Sequence, residues 1–310
     1  MVEASSSKAL PVRVRITPRV LEETISVLIE KGLDRGGLGL VGQRSMLLAN
    51  YLGFERVLGR PLESIPADDV LATLRRIKSD NEIELMRYAA DVGGAWMTAM
   101  LEAAEPGRTE GDIVGEGLRE LAALGLFPYD VAVGSGPTSY RYQRVGLPSW
   151  DAERLLEHGD LLHIDAWGPV GGYYTDLARS TVVGGHPSPA QREVLDASIA
   201  LVGHLIEAVR PGRRIGELYD RGTDWLSRNG FVDDSAFGDL FPAFGHCIGL
   251  GHEEPWIVTG ETTELVPRMV IAIEAFVTLP NVGAAGFEQN VLVTEDGNEI
   301  LTTCRPQWWV

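Results

Sequence analysis

The sequence predicts an α+β fold: two related halves, each with helices laid over strands of a curved, mainly antiparallel sheet, preceded by a short α/β region. Three observations carry this expectation. Residues 102–126 (EAAEPGRTEGDIVGEGLRELAALGL) recur at residues 207–231 (EAVRPGRRIGELYDRGTDWLSRNGF) in one ungapped register. Strand-like runs follow each copy, separated by Gly-rich turns. The chain of 310 residues is 45% hydrophobic and 23% charged, which suits a folded core without disulfide or metal staples.

Residues 1–75 form the first region. Residues 1–10 read as a disordered tail, Leu21 to Lys31 has helical spacing, and Gly37-Leu-Gly-Leu-Val41 reads as a short buried strand. Pro61 and Pro66 punctuate its end.

Residues 76–310 form the second region. Ser79 with Glu82 makes a capping box for a long helix whose apolar stripe is Ile83, Met86, Ala90, Trp96 and Met100. That helix ends near Glu105-Pro106-Gly107. Each repeat copy then reads as helix, Pro-Gly turn and second helix closed by Gly. The strands of the first half are Val131–Val133, Leu161–Asp165 and Arg179–Val183. Those of the second are Val270–Glu274, Val291–Thr294 and Glu299–Thr302.

The formal net charge of -17 argues against nucleic acid and anionic membrane surfaces as partners. No run is apolar enough for a membrane span or a signal peptide, so the expected location is cytoplasmic. Cys247 and Cys304 are too few and too isolated for a thiolate zinc site. Gly134-Ser-Gly-Pro137 does not open a helix as a phosphate loop does.

The carboxylates are the informative residues. Asp165 and Glu274 each end an apolar run, and a buried carboxylate is costly unless paired or bound to metal. Arg179 and Arg268 are the candidate ion-pair partners. Asp176 follows Asp165 across Gly168-Pro-Val-Gly-Gly172, so a hairpin lets the two acids face one another. Glu288 follows Glu274 across Leu279-Pro-Asn-Val-Gly283 in the same way. His246 lies in Phe244-Gly-His-Cys-Ile-Gly249. Four carboxylates and one imidazole suit two hard or borderline divalent ions. His163 shares a strand face with Asp165 and reads as a packed histidine. Trp308-Trp309 reads as a docking or dimer contact.

At these residues the sequence resembles the pita-bread metallopeptidase superfamily of methionine aminopeptidase, prolidase, aminopeptidase P and creatinase. The matching motifs are IDAWGPVGGYYTDLARS (164–180), GHCIGLGHEEP (245–255), PRMVIAIEAF (267–276) and GFEQNVLVTEDGNEILT (286–302), with LRRIKSDNEIELMRYAA (74–90) resembling the prolidase branch. The resemblance implies a pita-bread fold of two pseudosymmetric halves, with residues 1–75 a truncated creatinase-type N-terminal region. It implies two divalent ions (manganese favoured over cobalt, zinc or iron) and a homodimer. Asp165 would chelate the first ion, Asp176 and Glu288 would bridge both, and His246 and Glu274 would complete the second site. A water activated by the ions would attack an Xaa-Pro amide, with Glu274 handling the proton and His252 contacting substrate.

Three departures bear on substrate. His252 stands one residue closer to His246 than in the commoner pattern. The loop from Gly134 to Arg144 lacks the family's histidine, leaving Tyr140, Arg141, Tyr142 and Arg144 as candidate substrate contacts. The N-terminal region is short. The alternatives kept open are an amidinohydrolase or lyase acting on a small acidic metabolite, and a metal-poor binding protein.

Overall fold

A computed structural model of the chain describes residues 19–139, 149–231 and 243–310. It divides into two compact units, Met1–Leu71 and Ala72–Val310. The first unit contains α1 (Val20–Glu30), β1 (Leu38–Leu40), α2 (Leu48–Leu58) and β2 (Ser64–Pro66). β1 and β2 pair in parallel. Helix α3 (Asp68–Arg76) carries both the division at Leu71 and the boundary read at 75/76.

The second unit opens with α4 (Asp80–Glu102), α5 (Glu110–Ala123) and β3 (Asp130–Ser135). It continues with β4 (Leu161–Val170), β5 (Tyr173–Val182), α6 (Pro189–Ile206) and α7 (Gly216–Arg228). It closes with β6 (Gly245–Ile248), β7 (His252–Trp256), β8 (Val270–Leu279), β9 (Gly283–Val293) and β10 (Asn298–Ile300). Three strands form one sheet in the order β3-β4-β5, and five form another in the order β10-β9-β8-β6-β7. Every pairing in these two sheets is antiparallel.

Local chemistry sets the helix starts. Ser79 with Glu82, Thr109 with Asp112 and Ser188 with Gln191 each make a complete capping box. Each box satisfies two otherwise orphaned backbone N–H groups at the head of its helix. The repeat read from the sequence recurs as geometry. Gly107 and Gly212, the glycines of the two Pro-Gly turns, have φ of 86° and 81°, a left-handed conformation that a side chain would strain. Their N–H groups donate to Leu156 and Leu265, the residues leading into β4 and β8.

Alternation along the strands then separates core from site. Leu162, Ile164, Ala166 and Leu177 pack against Trp96, Met97 and Met100 of α4 and Ile113 of α5. Ile271, Ile273, Phe287 and Val291 pack with Val194, Leu201, Val202 and Leu205 of α6. Each such side chain contributes about 1.5–3 kcal/mol by leaving water. Successive strand residues point to opposite faces, so Asp165, Asp176, Glu274 and Glu288 all lie on faces turned away from the helices.

Two expectations are corrected. Asp165 and Glu274 do not end their strands; they lie within strands that run on to Val170 and Leu279. The residues just after each acid, 166–168 and 275–277, remain buried within the continuing strands. Asp165 and Asp176 do not face one another directly. Asp165 pairs with Ala178 and Asp176 with Trp167, which makes the two acids diagonal neighbours, whereas Glu274 stands directly opposite Glu288. The turn after β4 closes from Val170 to Tyr173, tighter than the turn from Leu279 to Gly283, and this sets the different register.

Candidate metal centre

The sheet junction between β5 and β9 brings the acids of both halves together. No backbone ladder joins these strands; side chains do so. Ser180 Oγ donates to the Gly286 carbonyl at 3.0 Å and accepts from its N–H at 2.9 Å. The Asp176 N–H donates to Asn290 Oδ1 at 3.3 Å, and Asn290 Nδ2 donates to the Asp176 carbonyl at 2.5 Å. Arg179, fully buried, donates to the carbonyls of Glu288, Cys304 and Arg305 and to the Gln289 side chain. Its guanidinium lies 4.4 Å from the centre of the Phe287 ring.

Across this junction Asp165, Asp176 and Glu288 offer ligand atoms within 4.8 Å of one another. His246 with Glu274 and Glu288 forms a second such group, and Asp176 with His246 and His252 a third. Asp165, Asp176, His246, Glu274 and Glu288 are all buried. His252, at the start of β7, is the exposed member, with a side-chain exposure of 35%. The cations that the sequence offered as ion-pair partners act elsewhere: Arg179 holds backbone carbonyls, and Arg268 pairs with Asp80 and donates to the Lys78 carbonyl.

The electrostatics are those of acids gathered without enough protein cations. Burial, then the charges of Asp165 and Asp176, push Glu274 well above the ordinary carboxyl range. Burial, then the charges of Asp176 and Glu274, do the same to Glu288. Burial also opposes the charge on Asp176, but hydrogen bonds from His246 and His252 outweigh it and hold that carboxyl low. His252 Nε2 lies 3.1 Å from Asp176 Oδ2. This contact raises the His252 pKa although burial works against the imidazolium.

These residues fit divalent ions on two grounds. Both carboxylate oxygens of Glu288 are buried and have no hydrogen-bond partner among the described residues, a state that costs several kcal/mol unless a cation or a proton compensates it. His246 Nδ1 lies 2.9 Å from the Cys247 carbonyl, which can only accept. Nδ1 therefore gives its proton to that carbonyl, which leaves Nε2, 3.5 Å from Asp176 Oδ2, as the ring atom that takes either a proton or a metal ion. A cation can take the place of that Nε2 proton between the ring and the carboxylate, with the carbonyl fixing the ring's orientation.

The other expected residues divide. His163 is buried, near Ser180 and edge-on to Phe276, and burial holds its pKa down at about 3. It is a packed neutral histidine, as the sequence suggested. Cys247 is buried with its thiol pushed up to about 12 by burial, which gives it no nucleophilic character. Tyr140, Arg141, Tyr142 and Arg144 lie outside the described residues. Sequence reasoning missed Asn290 and Trp167. Trp167 stands opposite Asp176, and the alternation that paired His163 with Asp165 also reaches Trp167.

Residues 84–295 match the sequence model of metallopeptidase family M24. The chain is 32% identical to the Xaa-Pro dipeptidase of Pyrococcus furiosus over 240 residues, 76% of this chain and 65% of that protein. It is 29% identical to the Xaa-Pro dipeptidase of Pyrococcus horikoshii over 92% of this chain and 75% of that one. The chain thus spans about two-thirds to three-quarters of the length of these relatives. The solved prolidase from Pyrococcus furiosus superposes with a TM-score of 0.77 at 27% identity, covering 92% of this chain and 80% of that one. The X-Pro aminopeptidase of Thermotoga maritima shares the fold, with a TM-score of 0.79 at 21% identity over 96% of this chain and 82% of that one.

Proposed function

The chain belongs to metallopeptidase family M24, and on that premise we propose that it is a metal-dependent hydrolase of the Xaa-Pro dipeptidase type. The observation that carries this reading is the buried pair Glu274 and Glu288, face to face across β8 and β9, with Asp165, Asp176 and His246 within ligand reach. Family membership implies divalent metal ions. Asp165, Asp176, His246, Glu274 and Glu288 would hold two such ions. An oxygen-rich set of this kind favours manganese. When bound, such ions lower the pKa of a water and polarise a carbonyl.

The chain's own residues supply the rest. Glu274 takes up the proton of the attacking water at its carboxylate and returns it to the departing amine. His252, partly exposed and oriented by Asp176, donates from its ring toward the oxygen of the substrate carbonyl. Asn290 and Ser180 keep the two halves at a fixed spacing, so the acids converge without rearranging. A cytoplasmic homodimer completes the proposal. The two buried free cysteines are compatible with a reducing compartment, and no described helix is long and apolar enough to cross a membrane.

The test is a panel of Xaa-Pro dipeptides offered to protein loaded with manganese, cobalt, zinc or iron, and to chelated protein. Turnover only in the loaded protein, lost in a folded Asp176→Ala variant, is expected. A fully loaded protein that cleaves none of them sinks the peptidase reading and points to amidinohydrolase or lyase chemistry.

A further inference from the structure

Beside the acid cluster stands a series of aromatic rings that the proposed chemistry does not use. Trp167 on β4 is directly opposite Asp176 and only 5% exposed. Its ring centre lies 6.1 Å from that of His252. Tyr174, two residues before Asp176 on the same strand face, lies 5.9 Å from His252 and meets it edge-on at 79°. Tyr129 follows, with its ring 6.3 Å from Tyr174. Tyr129 is 64% exposed, so the series runs from buried beside the acids to open at its outer end.

The backbone holds this series in place. The Tyr129 N–H donates to the Trp167 carbonyl at 3.0 Å. The Tyr174 N–H donates to the Gly249 carbonyl at 2.8 Å, which ties β5 to the short turn that delivers His252. That turn is tight: the Gly249 N–H donates to the Gly251 carbonyl, and the Leu250 N–H donates to the Glu253 carboxylate. These bonds hold His252 beside Tyr174.

Resting on the Xaa-Pro reading, we propose that Trp167, Tyr174 and Tyr129 form the wall that receives the side chain of Xaa and select large apolar or aromatic residues there. Rings set at 45° to 79° to their neighbours present faces and edges for an apolar side chain to pack against. The proline ring has one size, whereas Xaa varies. A wall that begins beside the acids and opens outward at Tyr129 suits the partner of variable length. A site lined this way gains more from each added apolar group than from glycine, whose side chain reaches none of the rings.

The experiment measures kcat/KM for Phe-Pro, Leu-Pro, Ala-Pro and Gly-Pro with the metal-loaded full chain and with Tyr129→Ser and Tyr174→Leu. The wild-type ratio of Phe-Pro to Gly-Pro is expected to be roughly tenfold or more, and to fall severalfold in Tyr174→Leu and by a smaller factor in Tyr129→Ser. A wild-type ratio near one, or a ratio that neither variant changes, overturns the proposal. Tyr129 is largely exposed, so that variant is expected to fold even if Tyr174→Leu does not. If no dipeptide is cleaved, the peptidase reading has failed on its own. Calorimetric titration of the same loaded protein with Phe-Pro and Gly-Pro then decides the wall: tighter binding of Phe-Pro upholds it, and equal affinities overturn it.

Discussion

Asn290 grips Asp176 by both of its backbone groups, accepting from the N–H at 3.3 Å and donating to the carbonyl at 2.5 Å. Asn290 comes from the second half and Asp176 from the first, so one carboxamide fixes where the acids of the two halves meet. Asn290→Ala is expected to leave a buried N–H and a buried carbonyl unsatisfied, at about 1–3 kcal/mol of stability. Metal affinity should weaken roughly 10-fold or more, because the ligand loses the group that orients it. Isothermal titration with manganese checks this; unchanged affinity would remove Asn290 from any part in holding Asp176.

Chelation should lower the melting temperature, and metal should restore it. Ions that bind only the folded state stabilise it by about 2.7 kcal/mol at one hundred times their dissociation constant. Scanning calorimetry with and without a chelator is the measurement, and coincident melting curves would contradict the proposed centre.

In the metal-free protein the pH dependence has a definite sign. Glu288 is held well above the ordinary carboxyl range, by burial first and by neighbouring acids second. The folded state therefore keeps a proton that the unfolded chain has released. The stability from this group is fully present below about pH 4.5 and is lost as pH rises toward the folded-state value. Glu288→Gln should flatten that decline in chelated protein while abolishing metal-dependent activity. A decline of the same slope in variant and wild type would assign it to other groups.

Gly245 has φ of 122°, and a Cβ there would lie 1.9 Å from the Ala272 carbonyl oxygen. Gly245→Ala should therefore push β6 from β8 and displace His246, the next residue. Loss of folded protein, or of metal from whatever folds, is expected. A variant with wild-type melting and metal content would show that the backbone yields there.

Ser188→Ala removes a capping box far from the acids, at the head of α6. It should cost about 1 kcal/mol, read as a lower denaturation midpoint, with turnover unchanged. An unchanged midpoint would mean that water replaces the cap without loss.

The metal-ligand candidates were legible in the sequence because burial is costly for a carboxylate: Asp165 and Glu274 stand in apolar runs that would expel them without a partner. The repeat was legible because both copies need the same left-handed glycine turn, seen at Gly107 and Gly212. The four motifs carried the family. The register of the hairpins was not legible, because a Gly/Pro loop read as a string does not state whether it closes in two residues or three. That single step makes Asp165 and Asp176 diagonal while Glu274 and Glu288 are opposed. Nor could the sequence show that Asn290 and Ser180 join β5 to β9 by side chains, since these residues are distant in the chain and nothing in their type announces a partner. The sequence by itself determined which groups must be compensated, since that follows from desolvation and local pattern. Only the tertiary structure decided which groups meet, and that Trp167, Tyr174 and Tyr129 stand in series beside them, because meeting depends on register and on strands paired across the two halves.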